Sequence, residues 1–477
     1  MTDHATFPRR LIGCALTLVW LLAIAERPAV AEEAPPNILL IVADDLGWGD
    51  VGWHGGFGKT PVMDRLVREG VELDQHYVQP VCTPTRTALM SGRYPGRFGP
   101  HALAPSNLRA MPLETVTLAK ALRSRGYATC QSGKWHLGSR AEWGPQAFGF
   151  DHSYGTLTGA ADPWTHKYRT GPYEQTWQRD GKRLDEEGNA TELVAAEAVR
   201  RIEELRNPWF IYVAFHAVHT PVDAPDEYKR LYDGVVFDDD PAKQDSRLRM
   251  AAMTAQLDAK IGDMVAALQR TGQRERTLIV FTSDNGGIES LKNAYVGDVA
   301  DSPLNSENAP LRGEKNTLYE GGVRVCAFAN WPGKLAPGTL SQPLHAVDWF
   351  PTLARLAGYQ PDVDLEWDGV DQWEALVSAG RGDDDDHNES QRLGASRSIY
   401  IAMNGGRMLR RGDWKLIERD AGKSRTKLFN LADDPYERDN LASREPDRVA
   451  ELQRLLRDEQ ANDDPVLPGD LLGLPER

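Results

Sequence analysis

Cysteine is scarce in this chain, with four in 477 residues. That number builds no disulfide framework, and Cys130 and Cys326, each inside an apolar strand-like run, read as small buried hydrophobes. Beyond the N-terminus no apolar run reaches the ~20 residues that a membrane-spanning helix needs. Basic charge is short as well: 55 Lys and Arg face 70 Asp and Glu, a net −15. The balance argues against a nucleic-acid binder, which carries a basic face. It also means that an anionic ligand must be drawn in by a local positive pocket against the global field. Internal repeats are absent. His216 and His219, at i and i+3, have neither a His-Glu-x-x-His pattern nor a cysteine beside them, so zinc is not the reading.

The N-terminus carries an export pattern. Arg9-Arg10 precedes an apolar stretch from Leu11 to Ala25, and Ala29-Val30-Ala31 offers a small-residue cleavage site. Residues 1–31 therefore read as a signal peptide, and the protein as periplasmic or secreted with no stable membrane span. Cleavage would remove Arg9, Arg10 and Arg27 with Asp3 and Glu26, leaving a chain of −16 with three cysteines. The remainder, 41% apolar and 26% charged over the whole sequence, has the composition of a folded globular protein.

Four apolar, β-rich runs end abruptly in polar residues. Asn37–Ala43 runs into Asp44-Asp45, and Tyr127–Gln131 into Gly133-Lys134-Trp135-His136. Trp209–Phe215 leads to His216 and His219, and Thr277–Thr282 to Asp284-Asn285-Gly286-Gly287. Continuous apolar runs suit strands buried on both faces of a parallel sheet. Helical patterns over Thr60–Glu69, Thr117–Arg125, Thr191–Leu205 and Met250–Leu268 alternate with them, which predicts an α/β sandwich. In such folds ligands gather beyond the carboxyl ends of the strands, where every one of these polar clusters falls. Residues 36–380 form the expected main domain, and 381–396, with the run Asp383–Asp386, an acidic loop or linker. Residues 397–477 read as a small α+β unit: short strands over Ser398–Met403, Arg407–Arg410, Asp413–Arg419 and Lys427–Leu431, then a helix over Glu445–Glu459.

Asp44, Asp45, Asp284 and Asn285 offer three carboxylates and an amide oxygen, a donor set for Ca²⁺, or for Mg²⁺ with added waters. Cys82 is out of place beside them, because thiolates select soft metals. Pro84 fits the first turn of a helix running to Met90 with Gly92 as its stop, which puts Cys82 just ahead of a helix N-terminus and Arg86 one turn on. Lys134, His136, His219 and Lys315 supply a cationic lining. Trp164 and His166, in a loop rich in Gly and aromatics, either contact a sugar ring or simply pack the loop.

The stretch Cys82-Thr83-Pro84-Thr85-Arg86 resembles the signature of the type I sulfatases, a branch of the alkaline-phosphatase-like superfamily. The resemblance extends through Pro36–Asp50, Thr60–Leu66, Cys82–Gly96, Gly133–Gly138, Ser283–Gly287, Arg312–Lys315, Glu320–Arg324 and the C-terminal Leu428–Leu431, Asp434-Pro435 and Asn440-Leu441. Tyr77–Pro80 and Gly149–Asp151 look most like the arylsulfatase B, or N-acetylgalactosamine-4-sulfatase, group. Cys326 departs from the proline of many relatives. The resemblance implies a large mixed, mostly parallel sheet between helices and a small C-terminal antiparallel sheet. It implies that Cys82 is oxidised by a maturation enzyme to formylglycine (3-oxoalanine), whose hydrate attacks sulfur, and that Asp44, Asp45, Asp284, Asn285 and the modified Cys82 hold Ca²⁺. Arg86 would stabilise the hydrate, Lys134 the sulfate oxygens, and His219 with Lys315 the leaving oxygen, while His136 takes the proton that expels sulfate. A sulfated saccharide is the implied substrate. A formylglycine-dependent phosphonate monoester or phosphodiester hydrolase and a non-catalytic sulfated-glycan binder are the competing readings.

Overall fold

Asn37–Ala43 has no polar side chain after its first residue, and all seven residues are buried. It is β1, near the middle of a ten-stranded sheet in the computed structural model, which describes residues 1–2, 34–169, 171–206, 208–290, 304–380, 397–420 and 425–474. The predicted signal peptide, apart from its first two residues, and the acidic segment 381–396 lie outside the described residues. Along the sheet the order is β11 (Gly338–Leu340), β2 (Val71–Leu73), β10 (Ala327–Asn330), β9 (Thr277–Ser283), β1, β8 (Trp209–Ala214), β4 (Ala128–Gly133), β5 (His152–Gly155), β6 (Gln178–Arg179) and β7 (Lys182–Arg183). The central run from β9 to β5 is parallel throughout, whereas β10 and β6 pair antiparallel with their neighbours.

Successive residues of a strand point to opposite faces, and here they feed two cores. Ile38, Leu40 and Val42 enter one, Leu39, Ile41 and Ala43 the other. The first is covered by α2 (Cys82–Ser91), α3 (Leu118–Ser124), α8 (Trp349–Leu356) and α9 (Trp373–Ala379). The second is covered by α1 (Pro61–Arg68), α4 (Ala190–Glu204), α5 (Asp226–Arg230) and α6 (Pro241–Arg270). A single turn, α7 (Glu320–Val323), precedes β10, and β3 (His76–Tyr77) pairs with β12 (Leu344–His345). The predicted α/β sandwich is the observed architecture.

Two element boundaries differ from expectation. The helix expected from Met250 begins at Pro241, because its first turns are mostly polar and only partly buried and so carry no apolar period. Its start is set by Asp240, whose carboxylate accepts from Ala242 N at 3.0 Å. The helix expected from Pro84 begins at Cys82 and stops where Gly92 turns left-handed at φ 69°. In the C-terminal region β13 (Ser398–Met403), β14 (Gly406–Arg411), β15 (Trp414–Arg419) and β16 (Thr426–Asn430) form an antiparallel meander, followed by a helix over Pro446–Gln460.

Candidate hydrolytic site

The parallel register lines up the carboxyl ends of β9, β1, β8 and β4, with Ala43 opposite Ser283, Val42 opposite Ala214 and Ala214 opposite Gly133. The residues that follow these four strands are therefore delivered to one edge. Asp44 and Asp45 leave β1, Asp284 and Asn285 leave β9, Lys134 and His136 leave β4, and His216 and His219 leave β8. Asp45 and His136 hold positive φ, 62° and 57°, the left-handed turn that ends each strand's run. On the sheet's flank, α2 brings Cys82 to within 3.6 Å (Sγ to Oδ1) of Asp44.

Each carboxylate of the cluster is met by a lysine or arginine. Lys134 Nζ lies 2.6 Å from Asp44, and Lys315 Nζ 2.5 Å from Asp45. Arg86 grips Asp284 Oδ2 through Nε at 3.1 Å and Nη2 at 2.7 Å. Its remaining fork is aimed by Lys134 O at 3.1 Å and Tyr212 OH at 3.4 Å. Burial alone would raise Asp45, but the charges of Lys315 and His219 outweigh it and hold the carboxyl at about 2. Asp284 is raised instead, by burial and by the neighbouring Asp44 charge. Burial likewise pushes the Cys82 thiol up to about 12 against the pull of Lys134 and Lys315. An unmodified thiol at this position is thus protonated at neutral pH, and the thiol is a poor nucleophile compared with the thiolate.

Among the described residues, two buried oxygens in the cluster, Asp45 Oδ2 and Asn285 Oδ1, accept no hydrogen bond. His219 Nε2 stands 3.7 Å from the first, an ion-pair separation beyond hydrogen-bond reach. Orphaned acceptors of this kind are costly unless something electropositive meets them. One ligand atom each from Asp44, Asp45, Cys82 and His219 falls within 4.8 Å of the others, so the group could hold a metal ion. Carboxylates and an amide oxygen fit a hard divalent cation; sulfur does not.

The histidines differ in their surroundings. His136 is pressed against Gly159, where an added Cβ would meet its ring at 2.3 Å, and its buried Nδ1 has no hydrogen-bond partner among the described residues. Burial, then the charge of Lys134, holds it well below the usual imidazole range, hence neutral. His219 Nδ1 meets Thr220 O at 2.5 Å, and burial lowers it to about 3. His166 is not in the cluster: it stacks on Trp177 and bonds Gly188 O at 2.9 Å, and the Trp177 ring also lies 6.2 Å from that of His216. Trp164 is exposed, its Nε1 donating to Asp223 at 2.9 Å, four residues beyond His219. Sequence reasoning gave no part to Thr85, Tyr212 or Ser283. Thr85 Oγ1 donates to Asp284 O at 2.6 Å, and Ser283 Oγ accepts from Leu46 N at 3.1 Å, which ties the two acidic turns together. Tyr212 alone left a trace, as a hydroxyl inside the otherwise apolar strand β8.

The family model described as Sulfatase matches residues 36–359. Arylsulfatase J of Mus musculus is 33% identical over 483 residues, covering 91% of this chain and 77% of its own length. N-acetylgalactosamine-6-sulfatase of Canis lupus familiaris is 32% identical over 385 residues, covering 76% and 69%. The crystal structure of Ps i-CgsB in complex with k-i-k-neocarrahexaose superposes with a TM-score of 0.77 at 29% identity, over 90% of this chain and 94% of that one.

Proposed function

This chain belongs to the sulfatase family, and from that premise we propose that it hydrolyses sulfate esters of carbohydrate through a formylglycine made from Cys82, with Ca²⁺ bound beside it. The observation that carries the reading is the grouping of Cys82 with the ligand atoms of Asp44, Asp45 and His219, with Lys134, Lys315 and the Arg86–Asp284 pair around them and, among the described residues, two unpartnered buried oxygens. Asp44, Asp45, Asp284, Asn285 and the modified Cys82 would hold the cation, which when bound supplies Lewis-acid stabilisation of charge on the sulfate oxygens. The hydrated aldehyde would supply one hydroxyl to attack sulfur and a second through which sulfate is released.

The chain's own residues account for the rest. Lys134 and Lys315, which lie on Asp44 and Asp45, would be freed to face an anionic ester once those carboxylates hold a cation. Arg86, fixed by Lys134 O and Tyr212 OH, keeps its charge one helical turn from position 82. Lys315, which burial would lower but which the combined negative charges around it, Asp45 foremost, hold well above its ordinary range, would offset charge on the leaving oxygen. His219 starts neutral; the negative charge of an arriving sulfate raises its proton affinity, so that it would take up a proton from water as substrate binds and then give that proton to the leaving oxygen. His136, neutral and with no hydrogen bond at Nδ1 among the described residues, would take the proton whose loss expels sulfate.

A galactosamine sulfate, N-acetylgalactosamine-4-sulfate-like or a related unit of a sulfated polysaccharide, is the substrate class we favour. One relative is named for a sulfated galactosamine, and a similar structure was solved with a neocarrahexaose. Trp164, exposed and oriented by Asp223, is the proposed sugar contact; His166 would act only through Trp177. Paired assays test the reading. Sulfate release from an aryl sulfate and from 4- or 6-sulfated galactosamine saccharides is expected to outpace hydrolysis of a phosphonate monoester. A preference for the phosphonate ester would assign the site to phosphorus, and an alkylatable Cys82 with no sulfate release would make the chain a binder.

A further inference from the structure

A second cluster of buried charges brings Lys415 and Arg410 of the C-terminal sheet to Glu320, Glu437 and Tyr77. Lys415 on β15 has no exposed surface and lies 2.8 Å from Glu320 and 2.9 Å from Glu437, both equally buried. Glu320 also accepts from Tyr77 OH at 2.7 Å, and the same hydroxyl receives Arg410 Nη1 from β14. Glu437 Oε2 accepts from the backbone N of Glu320 at 2.7 Å, and its carbonyl oxygen accepts from Arg312 at 2.6 Å. A buried ion pair of this kind adds little stability over a well-packed apolar replacement, so its worth lies in the arrangement it fixes.

What it fixes is adjacent to the chemistry. Gly321 and Gly322, directly after Glu320, carry the turn that follows Asn285: Gly286 N donates to Gly322 O at 3.2 Å, and a Cβ on Gly286 would lie 1.8 Å from Gly321 O. Lys315 N donates to Gly287 O at 3.0 Å, Gly321 N to Arg312 O at 2.7 Å, and Asn316 N to Pro80 O at 2.8 Å. Tyr77 itself lies five residues before Cys82. We propose that Lys415, with Tyr77, is a positioning residue of the hydrolytic site: from the C-terminal sheet it fixes Glu320, and through Glu320 the segments that carry Lys315, Asn285 and Cys82. The C-terminal sheet is then a working part of the site. This rests on the functional reading above.

The test compares the full-length enzyme with Tyr77→Phe and with the charge-neutral double variant Lys415→Met/Glu437→Gln. Turnover of an aryl sulfate is measured beside the Kd for Ca²⁺ by calorimetry and the thermal midpoint. Loss of supporting contacts behind a metal site weakens affinity or activity by about 10–100-fold, and we expect kcat to fall and the Ca²⁺ Kd to rise within that range. KM should change far less, and Lys415→Arg, which keeps the charge, should recover most of kcat. Variants that fold with unchanged kcat and Ca²⁺ affinity but a lowered thermal midpoint would overturn the proposal, leaving the cluster merely structural. Should the double variant not fold, Tyr77→Phe decides it on the same readouts. If the wild-type protein releases no sulfate, the functional reading falls, and the Ca²⁺ affinities of the variants still decide the positioning claim.

Discussion

Position 82 shows how a residue's chemistry is set by what surrounds it. The Cys82 sulfur is buried beside Asp44, with the carboxylates of Asp45 and Asp284 and the ammonium groups of Lys134 and Lys315 close enough to act on its charge. A side chain with oxygen at this point suits both the hard-cation donor set and the three basic residues; a thiol suits neither. Serine at 82 would provide oxygen but a single hydroxyl. Cys82→Ser is therefore expected to release at most a stoichiometric first burst of the aryl alcohol, with steady turnover lower by at least about 10³-fold. Rapid-quench measurement of burst and steady rate checks this, and sustained turnover at the wild-type rate would contradict it.

Among the elements, α6 and α1 are joined by one carboxylate. Asp258 of α6 accepts from Val62 N at 3.1 Å and Met63 N at 2.7 Å, which caps the start of α1. Burial raises its carboxyl to about 6, against those two hydrogen bonds. With the folded value above the unfolded one, the group stabilises the fold fully below 3.8, and that contribution is lost as pH rises through about 6. Asp258→Asn removes the titration, so its stability relative to wild type is expected to rise by about 2 kcal/mol between pH 4 and pH 7. Denaturant unfolding across that range measures it; a constant difference would contradict the shift. The same scale shows what sequence can disclose. β1, β4, β8 and β9 were legible because strands buried on both faces are continuous apolar runs, and Asp44, Lys134, His219 and Asp284 were placed by following each run to its end. The short β2, β5, β6, β7, β10 and β11 have too few residues for a period, and the polar first turns of α6 have no apolar face. The pairing of Arg86 with Asp284, 198 positions apart, and the cluster around Lys415 depend on tertiary contacts that no local pattern encodes.

For the whole molecule, the excess of acidic residues and the site are one electrostatic problem. A chain of −15 repels an anionic polysaccharide, so attraction must come from the local group of Lys134, Lys315 and Arg86, and these are engaged with Asp44, Asp45 and Asp284. A divalent cation among those carboxylates would resolve both demands at once. It should also stabilise the folded chain, by about 2.7 kcal/mol at a free concentration 100-fold above its Kd. Chelation is accordingly expected to lower the thermal midpoint and abolish sulfate release, with Ca²⁺ restoring both. The most direct measurement is mass analysis of the peptide containing Cys82 from natively expressed, active enzyme. The expected residue at 82 has lost its sulfur and gained a carbonyl oxygen. An intact thiol there in enzyme that turns over sulfate esters would contradict the formylglycine reading.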